Sequence, residues 1–176
     1  MHRWLRDLDR RWVFLLMLLA VAVPILLQSR FPEKPSGLAR AVFDQIESLA
    51  PGDRVLLAFD FDPASAGELG PMATAFTYHC AKKRLRMYFV ALWPVGPQMI
   101  DRTIQDVIVK DFPDLVYGED YVNLAYKSGG EGVIKVILTD IRQLFGTDAL
   151  GTPVEQIPMM ADVATIRQME LIVSIS

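Results

Sequence analysis

The sequence has little sulfur and little imidazole: one cysteine, Cys80, and two histidines, His2 and His79, in 176 residues. A lone thiol excludes an intrachain disulfide framework and any cysteine-based zinc cluster. Only His79 lies beyond the first thirty residues, which excludes a histidine-rich metal site there and, unless further chain supplies a histidine, a Ser-His triad. Positive charge is not in excess. Eighteen Lys and Arg face 21 Asp and Glu, a net charge of −3, and this argues against nucleic acid as a partner. With 52% hydrophobic and 22% charged residues the chain is not intrinsically disordered. There is no internal repeat, no low-complexity segment and no Gly-Lys-Ser/Thr phosphate loop.

What is present begins with a long apolar run. Residues 12–28 read WVFLLMLLAVAVPILLQ, and no charge falls between Arg11 and Arg30. A helix over that uncharged stretch spans about 27 Å, close to the ~30 Å hydrocarbon core of a bilayer. Trp4 and Trp12 stand where interfacial aromatics belong, and Pro24 is tolerated in a membrane helix. Arg3, Arg6, Arg10 and Arg11 precede the run, whereas only Arg30 and Lys34 follow closely. That bias predicts a cytoplasmic segment 1–11, a transmembrane helix 12–28 in the cell membrane, and an extracytoplasmic remainder. The rival is a cleaved leader, but Leu26-Leu-Gln-Ser-Arg30 makes a poor cleavage site, and Ala20-Val-Ala22 lies inside the apolar run.

Residues 29–37 (SRFPEKPSG) read as a linker, and 38–176 as the extracytoplasmic domain. Ser36 is a good N-cap for an amphipathic helix over 37–49, with Leu38, Val42, Ile46 and Leu49 at helical spacing. Arg54–Asp62 (RVLLAFDFD) has the short apolar character of a buried strand. Ser65 and Glu68 have capping-box spacing for a helix to about Leu85, whose regular part is expected to begin at Pro71 and which carries Leu69, Met72, Ala73, Phe76 and Cys80 on one face. A second strand covers Met87–Trp93. A helix over 97–111 turns Ile100, Ile104, Val107 and Ile108 inward. Tyr121–Tyr126 reads as a short strand, 132–145 as one well-buried helix, 146–160 as a loop, 162–168 as a short helix and Glu170–Ser176 as a last strand. The alternation predicts an α/β domain: a Rossmann-like, mostly parallel, three-layer fold behind the transmembrane helix. An apolar strand with no helix after it leaves one sheet face wet, so the domain is expected to continue past Ser176.

The best candidate for chemistry is Phe59-Asp-Phe-Asp-Pro63. On a strand, Asp60 and Asp62 share a face at its carboxyl end, the edge where open α/β sheets bind ligands. Two close carboxylates suit a divalent cation such as Mg²⁺, or a split into nucleophile and acid. The simpler reading makes Asp62, Pro63 and Ser65 a turn and helix cap. The second candidate is the turn Lys127-Ser128-Gly129-Gly130-Glu131-Gly132. Its backbone N–H groups could cradle an anion with help from Lys127, although Glu131 would oppose one and a plain loop before a helix explains the same residues. Tyr117-Gly-Glu-Asp-Tyr121 reads as a solvated turn rather than a pocket rim. Cys80 reads as a core thiol, Lys82-Lys83-Arg84 as charges complementing a helix C-terminus, and Pro158-Met-Met-Ala161 as packing.

Val55–Asp62 resembles motif I of the haloacid-dehalogenase-like phosphatases, an apolar strand ending Asp-x-Asp. That resemblance implies Asp60 as nucleophile and Asp62 as acid/base. The sequence departs from it at Ala64, where the family has Thr or Val, and at Leu92-Trp93-Pro94, where it has Ser or Thr. Val55–Ser65, Tyr117–Gly132 and Met160–Arg167 together resemble a group of prokaryotic membrane-anchored α/β proteins without an assigned activity. In that group the chain is longer and closes with another hydrophobic helix. The expectation is a tethered module that binds a ligand or partner protein. The alternatives are a metal-assisted phosphohydrolase or transferase using Asp60 and Asp62, and an accessory subunit of a membrane complex. The expected partners are the lipid bilayer and membrane-complex neighbours or a second copy of the chain.

Overall fold

The computed structural model describes residues 9–27, 34–128 and 131–176. The expected segment 1–11, linker 29–37 and Gly-rich turn therefore lie partly outside the described residues. The chain divides into two units, Met1–Ala39 and Arg40–Ser176.

In the first unit, helix α1 runs from Arg10 to Leu26. Asp9 caps it, its carboxylate accepting from the Arg11 amide at 3.1 Å. No residue of α1 is buried. Among the described residues no helix is long and apolar enough to cross a membrane. Seventeen residues rise about 26 Å, short of a ~30 Å core. The expected span to Gln28 thus stops at Leu26. Helix α2, Gly37–Glu47, lies mostly in the second unit and starts where expected, with Ser36 Oγ accepting from the Ala39 amide at 3.1 Å.

The second unit is α/β, built on a four-stranded, all-parallel sheet. Its strands are β1 (Arg54–Phe59), β2 (Arg86–Ala91), β3 (Tyr121–Tyr126) and β4 (Leu171–Ile175), in the spatial order β3-β2-β1-β4. β1 and β2 are buried on both faces from their second residue on, which is why they read as unbroken apolar runs. Val55, Leu57, Phe59, Met87, Phe89 and Ala91 look to one face. There they meet Ile46 of α2, Ala73, Cys80 and Ala81 of α3 (Ala66–Lys82), and Met99, Ile100 and Ile108 of the next helical stretch. Leu56, Ala58, Tyr88, Val90, Val122 and Leu124 look to the other, against Ile137, Ile141, Phe145 and the segment Val154–Met169.

The details depart from expectation in instructive places. Helix α3 is regular from Ala66, not Pro71. Pro71 is its sixth residue and gives up a single hydrogen bond, and Met72 faces solvent. Helix α4, Gly96–Thr103, continues into a π-helical stretch, Ile104–Val109, that keeps Ile104, Val107 and Ile108 buried. The single helix expected over 132–145 is two, α5 (Glu131–Ile137) and α6 (Ile141–Leu144). Asp140 breaks it by capping α6, its Oδ1 accepting from the Arg142 and Gln143 amides at 2.9 and 3.1 Å, and Leu138 is left exposed. The helix expected over 162–168 shrinks to a 3₁₀ turn, Ile166–Gln168, closed by a Thr165–Gln168 capping box.

Candidate functional site

The chain passes from β1 outward to β2 and β3, then returns to place β4 on the other side of β1. The order reverses at β1, and open α/β sheets bind ligands at the carboxyl ends of the strands flanking such a reversal. Asp60 and Asp62 follow β1 directly. β1 ends at Phe59, so the two carboxylates extend from the loop rather than from a strand face, and each has its own local partner.

Asp60 completes the sheet. The Lys127 amide donates to the Ala91 carbonyl at 3.1 Å, and the Asp60 amide donates to the Ile175 carbonyl at 2.9 Å. Between them the Leu92 amide donates to Asp60 Oδ1 at 2.6 Å. The ends of β3, β2, β1 and β4 are thus laced in one row, with a carboxylate where a backbone carbonyl would otherwise accept. Asp62 closes the next turn. Its Oδ1 accepts from the Ser65 amide at 2.9 Å, and that bond holds its carboxyl below the ordinary aspartate value. Ser65 occupies the N-cap position of α3 without a side-chain cap bond, so the expected Ser65–Glu68 capping box is replaced by the Asp62 turn.

Gly96 brings the start of α4 against this edge. A Cβ there would lie 2.4 Å from the Phe59 carbonyl oxygen and 2.6 Å from Ala91 Cβ, so only glycine permits the approach. Trp93, at the end of β2, is about half exposed beside it.

Lys127 and Ser128 follow β3 at the same edge, while Gly129 and Gly130 lie outside the described residues. α5 has seven residues, too short to offer much of a helix-end field to an anion. Among the described residues no group of three or more His, Cys, Asp or Glu side chains is placed to hold a metal ion. Asp60 and Asp62 would supply at most two carboxylates to Mg²⁺, which accepts one or two and completes its shell with water and phosphate oxygens.

A buried polar network under β3 gave no sequence signal that was read as functional. Asp148 accepts from the Tyr117 hydroxyl at 2.8 Å and from the Leu150 and Thr152 amides at 2.9 and 2.7 Å. Burial, then this bond, pushes the Tyr117 hydroxyl above the usual tyrosine value. Asn123, 2% exposed, donates from Nδ2 to Asp101 Oδ1 at 2.9 Å and accepts at Oδ1 from the Ala125 amide at 2.9 Å. Tyr117–Tyr121 is a turn, with Asp120 accepting from the Val116 amide at 2.8 Å. Elsewhere, His79 stacks on Phe43 and bonds Glu47 at 2.7 Å, and Lys83 donates to the Glu47 carbonyl, which pins α2 to α3. Cys80 is a core thiol, pushed up to about 12 by burial. An open groove of about 820 Å³ runs over α3 and α4, lined by Phe61, Gly70, Thr74, Tyr78, Met99 and Arg102 among others, but by neither Asp60 nor Asp62.

No family model, curated protein or solved structure matches the chain.

Proposed function

We propose that the chain is a membrane-tethered, extracytoplasmic, Rossmann-like module that binds a ligand or partner protein at the carboxyl edge of its sheet without turning it over. The observation that carries the binding site is the reversal of strand order at β1, beside Asp60 and Asp62. Asp60, Asp62, Ser65, Lys127 and Ser128 rim it. Binding without turnover is favoured because Asp60 Oδ1 is engaged as a sheet acceptor and Asp62 as a turn acceptor. The tether is α1. Trp12, Phe14, Leu16, Leu18 and Ile25 are all more than half exposed, and an apolar surface of that extent calls for lipid or a partner to cover it. Snorkelling flanks and local bilayer thinning accommodate a helix a few ångström short.

Two measurements on the full chain test this. Alkaline extraction of membranes should leave the protein in the pellet, with the domain digested by protease added from the extracytoplasmic side. Recovery in the aqueous extract would refute the tether. Titration of the detergent-solubilised, isotope-labelled protein with inorganic phosphate and MgCl₂ should move the amide signals of residues 61–65 and 127–128. A second reading, a Mg²⁺-assisted phosphohydrolase or transferase, is supported by the two carboxylates, Asp60 and Asp62, that follow β1 directly at its carboxyl end. Phosphate release from p-nitrophenyl phosphate, lost in both Asp60→Asn and Asp62→Asn, would establish it over the first. A third, an accessory subunit, is favoured by Ile172 on β4, which is 50% exposed, and co-purification of a defined partner in mild detergent would support it.

A further inference from the structure

β2 and β3 do not pair evenly. Phe89 lies opposite Asn123 and Ala91 opposite Tyr126, so three residues of β3 advance while β2 advances two. That is a β-bulge, and its extra residue is Ala125, held at φ +63, a conformation that alanine rarely adopts. The Ala125 amide donates to Asn123 Oδ1, a bond from a side chain to the backbone two residues on. Asn123 is itself held from the far side by Asp101 of α4. In an even ladder Tyr126 would stand opposite Leu92. With the extra residue Lys127 stands there, its amide on the Ala91 carbonyl. The same Ala91–Leu92 peptide group donates on its other side to Asp60.

We infer that Asn123 is a positioning residue: by holding Ala125 in the left-handed conformation it sets the bulge that brings Lys127, rather than Tyr126, into the row with Asp60 at the candidate ligand site. The inference rests on the reading of that edge as a binding site, and it names the side chain that decides whether a cation stands beside the carboxylates. It accounts for a buried asparagine in a strand, a position where asparagine is depleted.

The test is amide hydrogen exchange on the full chain in detergent micelles. Asn123→Ala should speed exchange at Lys127 by at least about tenfold, the change one lost hydrogen bond brings, and leave Leu57 and Phe89 in the sheet centre within about twofold. Adding Ala125→Gly, which adopts positive φ without a partner, should restore protection at Lys127. Asp101→Ala, at an exposed position, serves if Asn123→Ala does not fold, and should loosen the same amide to a smaller degree. A uniform loss of protection across the sheet, or no rescue by Ala125→Gly, overturns the inference. Inorganic phosphate, added to each variant, separates the two claims. If wild type shows no phosphate-dependent shift at Lys127 while the exchange pattern holds, the binding reading fails and the positioning role stands.

Discussion

Gly96→Ala is the sharpest test of how the candidate site is assembled. The added methyl would sit 2.6 Å from Ala91 Cβ and 2.4 Å from the Phe59 carbonyl oxygen. Carbon pairs rest at about 3.5–4.0 Å, so the overlap is roughly 1 Å. One of the atoms it meets is strand backbone and cannot rotate away. Relief requires α4 to lift from the ends of β1 and β2. Met99 and Ile100, 7% and 0% exposed, then lose about a quarter to a half of their contacts on that side. With about 1.5–3 kcal/mol for burying each side chain, that loss is about 1–2 kcal/mol. Residual strain adds about 1–3 kcal/mol, and the helix preference of alanine over glycine returns at most about 1 kcal/mol. The net expectation is a loss of about 2–3 kcal/mol, on the order of 10 °C in Tm for a domain of this size. Gly67→Ala is the internal control. Beyond its own helix and chain neighbours nothing lies within 4 Å of its Cβ position, and it should cost nothing and gain up to about 1 kcal/mol. Urea unfolding of the full chain in detergent measures both. If Gly96→Ala is as stable as wild type, the close approach of α4 to the sheet edge is wrong.

Asp60→Ala should cost about 1–2 kcal/mol by leaving the Leu92 amide without its acceptor, whereas Asp60→Asn, which keeps a carbonyl oxygen there, should cost no more than about 0.5 kcal/mol; urea unfolding separates the two. Thr77 is fully buried and its hydroxyl has no hydrogen-bond partner among the described residues, so Thr77→Val should raise stability by about 1 kcal/mol in the same assay. The Asp62 carboxyl is held below its ordinary value of 3.8, so its contribution to stability is present above that value and is lost as pH falls through the lower folded-state value. Its side-chain ¹³C titration should therefore have a midpoint below 3.8, and the stability difference between wild type and Asp62→Asn should shrink to nothing at the acid end.

Burial decided which elements the sequence announced. β1 and β2 are covered on both faces, so Val55–Phe59 and Met87–Ala91 carry no alternation and stand out between turn residues. Ile100, Ile104, Val107 and Ile108 mark the packed side of α4 and its π-helical continuation just as directly. Periodicity failed where a single polar side chain overrode it. The apolar residues from Val133 to Phe145 suggested one helix because hydrophobic spacing does not register a cap, yet the Asp140 carboxylate starts a second one. Ser65 and Glu68 had the spacing of a capping box, but an aspartate three residues before Ser65 competes for the same amide and wins it.

The candidate site shows the same division. Strand order places Asp60 and Asp62 at the edge where open α/β sheets bind ligands, and their position after an apolar strand was enough to nominate them. The turn that Asp62 makes with Ser65 was legible, since the two lie three residues apart, but the role of Asp60 was not, because its partner Leu92 lies 32 residues on. Lys127 was nominated for the glycines that follow it, yet what seats it at the edge is a bulge set by Asn123. Even alternation along Tyr121–Tyr126 would have put Tyr126 in its place. The one available hint was the asparagine itself, since a side chain that bonds backbone two residues ahead competes with the strand ladder. A polar residue inside an otherwise apolar strand therefore marks where the ladder departs from its period, and here that departure chooses the charge at the mouth of the site.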